Sequence, residues 1–173
     1  MQYRRAFTPG GTYFFTVVTE GRRPLLRSVE AVDVLREAFR VISQSRPFVI
    51  DAIVILPDHI HCIWTLPPGD ADFATRWRLI KTRFTKRCPL ALRGLPNSAR
   101  VAKGEQAVWQ HRYWEHLIRD ERDYRRHVDY VHWNPVKHGR AWPPISTPSA
   151  SRFIVSSPGN IPTAKSSPIA GSG

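Results

Sequence analysis

Two kinds of apolar periodicity alternate along the chain. Residues 13–19, 49–56 and 59–66 are short runs rich in β-branched and aromatic side chains, bounded by Pro, Gly or Asp, and each predicts a strand. Pro57-Asp58 separates the second run from the third and predicts a hairpin. A fourth strand is predicted between residues 108 and 119.

Helical spacing of apolar residues predicts three helices between and after these strands. The first covers residues 29–44, with apolar positions at Val32, Leu35, Ala38, Phe39 and Ile42. The second covers residues 72–87, with apolar positions at Phe73, Trp77, Ile80 and Phe84. The third starts near Asp120, a suitable N-cap, and is expected to stop near Pro135, with Tyr124, His127, Val128 and Val131 facing inward.

The order strand-helix-strand-strand-helix-strand predicts an α+β fold. It is typical of the ferredoxin-like split βαβ arrangement, an antiparallel sheet with helices on one face. The last helix would be an addition at the C-terminal end of this unit. Residues 1–140 are predicted to form the single folded domain. Residues 141–173 are rich in Ser and Pro and are predicted to form a flexible tail.

Charge narrows the possible partners. The 173 residues include 26 Lys and Arg against 14 Asp and Glu, a formal net charge of +12, which favours a polyanionic partner. The 42% of hydrophobic residues excludes a globally disordered chain. Because no run approaches the roughly 20 apolar residues of a membrane span and no signal peptide is recognisable, we expect a cytoplasmic protein that does not bind membranes.

The tripeptide His59-Ile60-His61 is the first candidate for chemistry. Side chains alternate along a strand, so both imidazoles project from one face, about 7 Å apart along the strand, and can converge on a divalent metal. Two histidines at this spacing also occur by chance, so the tripeptide alone leaves the metal site open.

Tyr130 and Asn134 form the second candidate. They are four residues apart and share one side of the last helix, where a phenol could act as a nucleophile and an amide could bind metal or phosphate. A surface tyrosine beside a helix-ending asparagine is the alternative interpretation. His127, one turn before Tyr130, could support its hydroxyl or have a purely structural role.

Basic residues form the third candidate, because they neutralise phosphates while neighbouring aromatic rings stack on unpaired bases. The predicted DNA-binding residues are Arg4, Arg5, Arg22, Arg23, Arg76, Trp77, Lys81, Arg83, Arg87, Arg112 and Lys137.

Three long segments together resemble the REP-associated tyrosine transposases, a branch of the single-tyrosine transposases with a histidine-hydrophobe-histidine motif. In chain order they read LPDHIHCIWTLP, GDADFATRWRLIKTRF and WQHRYWEHLIRDERDYRRHVDYVHWNPVKHG. The opening YRRAFTPGGTYFFTVVT is also similar to that family. The resemblance covers residues 1–140 and ends after Gly139, where an aromatic-rich continuation is replaced by the Ser/Pro tail.

The resemblance implies a metal-dependent enzyme that nicks and joins single-stranded DNA near hairpins formed by repetitive extragenic palindromes (REP). It implies that His59, His61 and Asn134 bind Mg²⁺ or Mn²⁺ and that Tyr130 attacks the DNA to form a 5′-phosphotyrosine. No small-molecule cofactor is expected, the location would be the bacterial nucleoid, and a monomer is favoured over a homodimer. The alternatives are a hairpin-binding protein without catalysis and a metal phosphoesterase that uses water.

Overall fold

The predicted strands form one antiparallel sheet. In the computed structural model, which describes residues 7–94, 98–102 and 106–137, the strands are β1 (Thr12–Val18), β2 (Val49–Leu56), β3 (His59–Thr65) and β4 (Trp114–Leu117). Their order across the sheet is β2-β3-β1-β4, with each neighbouring pair antiparallel. This is the strand order of the ferredoxin-like arrangement, so the predicted α+β fold is confirmed.

The described residues form four α-helices beside the sheet, and short 3₁₀ turns connect some of them to the strands. The helices are α1 (Val29–Ser45), α2 (Phe73–Arg87), α3 (Ser98–Ala102) and α4 (Glu121–Lys137). The 3₁₀ turns are Glu20–Arg22, Leu25–Arg27 and Leu90–Leu92.

Helices α1 and α2 begin at side-chain caps and cover one face of the sheet. The Ser28 hydroxyl accepts a hydrogen bond from the N–H of Ala31 at 3.3 Å, and the Asp72 carboxylate accepts one from the N–H of Thr75 at 2.9 Å. The apolar stripes of both helices are buried against β1 and β3 in the main core. Trp64 of β3 stacks on Trp77 of α2 with ring centroids 4.4 Å apart.

Helix α4 lies on the opposite face. The Asp120 carboxylate accepts a hydrogen bond from the N–H of Asp123 at 2.8 Å, which confirms the predicted N-cap. Val131 packs into a second, smaller apolar cluster with residues of β1, β2 and β3, namely Phe14, Ala52, Val54, Leu56 and Ile63. Among the described residues the helix runs through Pro135 to Lys137, two residues past the predicted stop.

Arg76 and Trp77 are buried, which overturns the expectation that they contact DNA. Each side chain is about 1% exposed. The Arg76 guanidinium donates to both carboxylate oxygens of Asp70, at 3.1 and 2.7 Å, and to the carbonyls of Arg46, Pro47 and Asp72. Arg76 therefore ties α2 to the loop before it and to the segment after α1.

We expect Arg76→Met to lower the free energy of unfolding by about 3 kcal/mol, because three carbonyls and the Asp70 carboxylate lose the hydrogen bonds that the guanidinium donates. Arg78→Met, at an exposed position on the same helix, should change that free energy by less than about 0.5 kcal/mol. Urea denaturation of both variants measures the difference. Equal stability of the two variants would contradict the structural role of Arg76.

Some sequence-based expectations concern regions with no structural description. Arg4, Arg5 and the predicted tail at residues 141–173 lie outside the described residues. The described part of the chain contains no helix with the length and apolar character that crossing a membrane requires.

Candidate metal and tyrosine site

His59 and His61 lie on the sheet face that α4 covers. Their Cα partners on β1 are Val18 and Thr16, and Ile63, next on the same face of β3, belongs to the smaller apolar cluster beneath α4. The two imidazole centroids are 4.7 Å apart, and the residues are 9% and 4% exposed. The two-residue period therefore brings both rings together, as the sequence predicts.

Each imidazole is oriented by a neighbour through its Nδ1 atom. His59 Nδ1 donates to the Asp58 carboxylate at 2.6 Å, and His61 Nδ1 lies 2.8 Å from the Thr16 hydroxyl. Burial raises the pKa of Asp58, but hydrogen bonds from His59 and Arg22 outweigh this and hold it below its usual value. With Nδ1 occupied in both rings, Nε2 is the atom that each histidine can offer to a metal.

Tyr130 of α4 lies against the histidine pair. Its ring centroid is 5.1 Å from that of His61 and 5.8 Å from that of Phe14. The residue is 41% exposed, so the phenol is accessible from solvent while its ring contacts the site. The sequence places Tyr130 on a polar face of its helix, and the structure adds that this face meets the histidines.

Asn134 lies one turn further along α4 and is only 2% exposed. Among the described residues, no donor reaches its side-chain oxygen Oδ1. A buried amide oxygen without a hydrogen bond is costly, and coordination to a cation would satisfy it. This is an independent observation that favours Asn134 as a ligand.

His127 contacts a cluster of polar residues at the edge of the sheet. Its Nδ1 donates to the backbone carbonyl of Asp123 at 2.9 Å and lies 3.3 Å from the Asp123 carboxylate. His116 of β4 donates from Nε2 to the same carboxylate at 2.8 Å. Sequence reasoning missed His116 and Asp123. The four-residue spacing of Asp123 and His127 was a usable signal, whereas His116 joins them only through the packing of α4 on β4.

The basic residues predicted to bind DNA divide into exposed and anchored side chains. Arg87 and Arg112 are exposed, and Arg22 is exposed while it pairs with Asp58 at 3.2 Å. Arg23 donates to the carbonyls of Leu92 and Ala107, and Lys81 donates to that of Gln110. Arg83 forms an ion pair with Glu37 at 3.7 Å. Lys137 is the last residue of α4.

Large exposed aromatic rings adjoin the site. Trp114 of β4 is 50% exposed and contacts Phe14 edge-on, with centroids 5.6 Å apart. Trp114 and His61 are both Cα partners of Thr16, so they lie on either side of β1 in the sheet. Trp133 of α4 is 63% exposed. Exposed indole rings at such a position can stack on unpaired bases.

Similar proteins are found among curated sequences and solved structures. A REP-associated tyrosine transposase of Escherichia coli (strain K12) is 49% identical over 138 residues, which cover 80% of this chain and 74% of that protein. A protein of Haemophilus influenzae named for the same group is 42% identical over 146 residues, which cover 82% of each chain.

The structural comparison agrees with the sequence comparison. A solved structure of the REP-associated tyrosine transposase bound to a REP hairpin superposes with a TM-score of 0.68 at 46% identity, covering 83% of this chain and 80% of the other. No protein-family model matches the chain. Because such high identity extends over four fifths of its length, the chain belongs to the REP-associated tyrosine transposases, which are enzymes.

Proposed function

We propose that this transposase nicks single-stranded DNA beside a hairpin and transfers the strand through Tyr130, with a divalent ion held by His59, His61 and Asn134. The observation that carries the proposal is the contact between Tyr130 and the histidine pair, with 5.1 Å between the ring centroids of Tyr130 and His61. A nucleophile and metal ligands on one face of a sheet can act on the same phosphate.

The residues present fit Mg²⁺ or Mn²⁺. Two imidazoles oriented by Asp58 and Thr16 supply nitrogen donors, and the buried Asn134 supplies an oxygen without a donor. When bound, the ion polarises the scissile phosphate and withdraws negative charge as it develops. The chain's own contribution is to hold the ligands rigidly on β3 and α4.

Tyr130 provides the covalent step. Its phenolic oxygen forms a bond to phosphorus, the bond from phosphorus to the 3′ oxygen breaks, and the strand leaves with a 3′-hydroxyl. The proton lost by the phenol balances the one gained by the leaving oxygen. The resulting 5′-phosphotyrosine retains the phosphodiester bond energy, so another 3′-hydroxyl can reverse the reaction and join strands without ATP.

Hairpin DNA is the substrate that the family relationship favours. The solved relative was bound to a REP hairpin, and this chain carries a net charge of +12 with exposed arginines at positions 22, 87 and 112. Arginine side chains at the surface neutralise phosphates irrespective of sequence. We therefore propose a palindromic hairpin with an unpaired flank as the ligand, with cleavage in the flank.

The proposal is tested by trapping wild-type protein on a labelled hairpin oligonucleotide with Mg²⁺ or Mn²⁺ and separating the products on a denaturing gel. We expect a covalent protein–DNA band that forms only with the metal and is absent when EDTA is present from the start. Cleavage without a covalent band would indicate water as the nucleophile. Salt-sensitive binding without cleavage in either metal would indicate the alternative function, a non-catalytic hairpin-binding protein.

Trp114 supplies a prediction about the unpaired flank. If a base stacks on its exposed indole, Trp114→Ala should weaken binding of the flanked hairpin about tenfold, because one base–aromatic stack is worth roughly 1–3 kcal/mol. Fluorescence anisotropy at several salt concentrations measures this. The slope of log affinity against log salt should stay unchanged, since no charge is removed.

Two controls separate stacking from loss of structure. Trp114→Phe keeps an aromatic face and should recover part of the affinity, and a hairpin without unpaired bases should bind wild type and Trp114→Ala equally. An equal loss of affinity for both DNAs would contradict the stacking role.

A further inference from the structure

We propose that His116, Asp123 and His127 form a second metal site, for Zn²⁺ or a similar transition-metal ion, that fastens the tyrosine-bearing helix to the edge of the sheet. These three residues are called the edge cluster. Their potential ligand atoms, two imidazole nitrogens and a carboxylate oxygen, all lie within 4.8 Å of one another. The proposal does not depend on the role of Tyr130.

The three side chains come from two elements and converge on one carboxylate. Asp123 Oδ2 accepts from His116 Nε2 at 2.8 Å, and Asp123 Oδ1 lies 3.3 Å from His127 Nδ1. The two imidazole rings stack with centroids 4.7 Å apart and planes 20° apart. His116 on β4 and His127 on α4 thus already lie on either side of the Asp123 carboxylate.

The surroundings favour a bound ion over solvated surface charges. The side chains of His116, Asp123 and His127 are 23%, 15% and 15% exposed. Trp114 stacks on His116 with planes 6° apart, and Phe14 contacts His127 with centroids 4.8 Å apart. Partial burial strengthens coordination, and the apolar walls limit access by water.

The donor set suits a transition-metal ion. Two imidazoles and one carboxylate are donors suited to Zn²⁺ or Co²⁺, and such nitrogen donors bind these ions more tightly than they bind Mg²⁺.

Binding requires a small rearrangement. With about 2.0–2.2 Å from zinc to each ligand atom, tetrahedral ligands lie roughly 3.3–3.5 Å apart. The widest separation, 4.8 Å or less, must therefore close by up to about 1.4 Å, while the His116 imidazole, 2.8 Å from the Asp123 carboxylate, moves slightly away from it. Zinc also competes with the proton that His127 Nδ1 donates to the carbonyl of Asp123. Both changes are side-chain movements that leave α4 and β4 in place.

The experiment counts zinc ions by isothermal titration calorimetry on full-length protein stripped with EDTA. We expect two Zn²⁺ per wild-type chain. The variant His59→Ala/His61→Ala, which removes the pair on β3, should keep one. Adding His116→Gln or Asp123→Asn to that variant should abolish the remaining binding, whereas adding the matched control His111→Ala, at an exposed histidine before β4, should not.

Two further measurements identify the site. In the His59→Ala/His61→Ala variant, saturating Zn²⁺ should raise the melting temperature by about 5–10 °C, because a ligand that binds only the folded state stabilises it. Excess Mg²⁺ should not displace Co²⁺, followed by its visible absorption. The proposal is overturned if that variant binds no zinc, or if its zinc survives both His116→Gln and Asp123→Asn.

Discussion

Tyr130→Phe is expected to abolish the covalent protein–DNA band, by at least about a thousandfold, while leaving hairpin affinity within about twofold of wild type. The substitution removes only the phenolic oxygen. The ring keeps its contacts with His61 and Phe14, so the melting temperature should not change measurably. Denaturing gels measure the covalent band, and anisotropy measures binding on the same DNA.

Tyr124 supplies the matched control for this experiment. It lies on the same helix, partly buried beside the smaller apolar cluster, and burial raises the pKa of its phenol. Burial restricts the access of DNA to this phenol, and Tyr124→Phe should therefore retain the covalent band. A covalent band that persists in Tyr130→Phe and is lost in Tyr124→Phe would transfer the nucleophile assignment to Tyr124.

His61→Ala is expected to eliminate metal-dependent nicking, because it removes a ligand that is 4% exposed and held by Thr16. Nicking rates at increasing Mn²⁺ concentration measure the effect. A wild-type rate at every Mn²⁺ concentration would contradict a direct ligand role. The hairpin should still bind, since the exposed arginines are unchanged.

Thr16→Val offers a graded version of the same experiment. It leaves both histidines in place and removes the hydroxyl that orients His61 Nδ1. Loss of such an orienting partner typically costs about 10–100-fold in metal affinity. We expect the half-maximal Mn²⁺ concentration to rise by that factor with the maximal rate retained. An unchanged half-maximal concentration would mean that the bond to Thr16 does not support metal binding.

The fold could be predicted because its strands are nearly continuous apolar runs. β2 is the clearest case, since it is bounded by Pro47 and Pro57 and matches the predicted residues 49–56. The alternation of side chains also fixes His59 and His61 on one face. The alternation does not reveal whether this face packs against α4 or against α1 and α2, because Ile60 on one face and Ile63 on the other are both buried. The packing of α4 decides that.

The identity of the buried polar residues could not be predicted. Arg76 is at helical spacing from Phe73 and Ile80, but the spacing does not show what satisfies its charge, which depends on the approach of Asp70 and the segment after α1. The contact of Tyr130 with His61 likewise depends on how α4 crosses the sheet. The proposed roles of His59, His61, Tyr130 and Asn134 therefore stay predictions from a resemblance that the geometry supports.

The sheet also separates the main hydrophobic core from the candidate catalytic residues. The main core lies on the α1/α2 face, and the histidines, Tyr130 and Asn134 lie on the other. Since sheet-packed layers are about 10 Å apart, substitutions on opposite faces should have additive free-energy effects to within about 0.5 kcal/mol. The layer formed by α1 and α2 can therefore be redesigned for thermostability, or diverge between relatives, without changing the reaction on the α4 face.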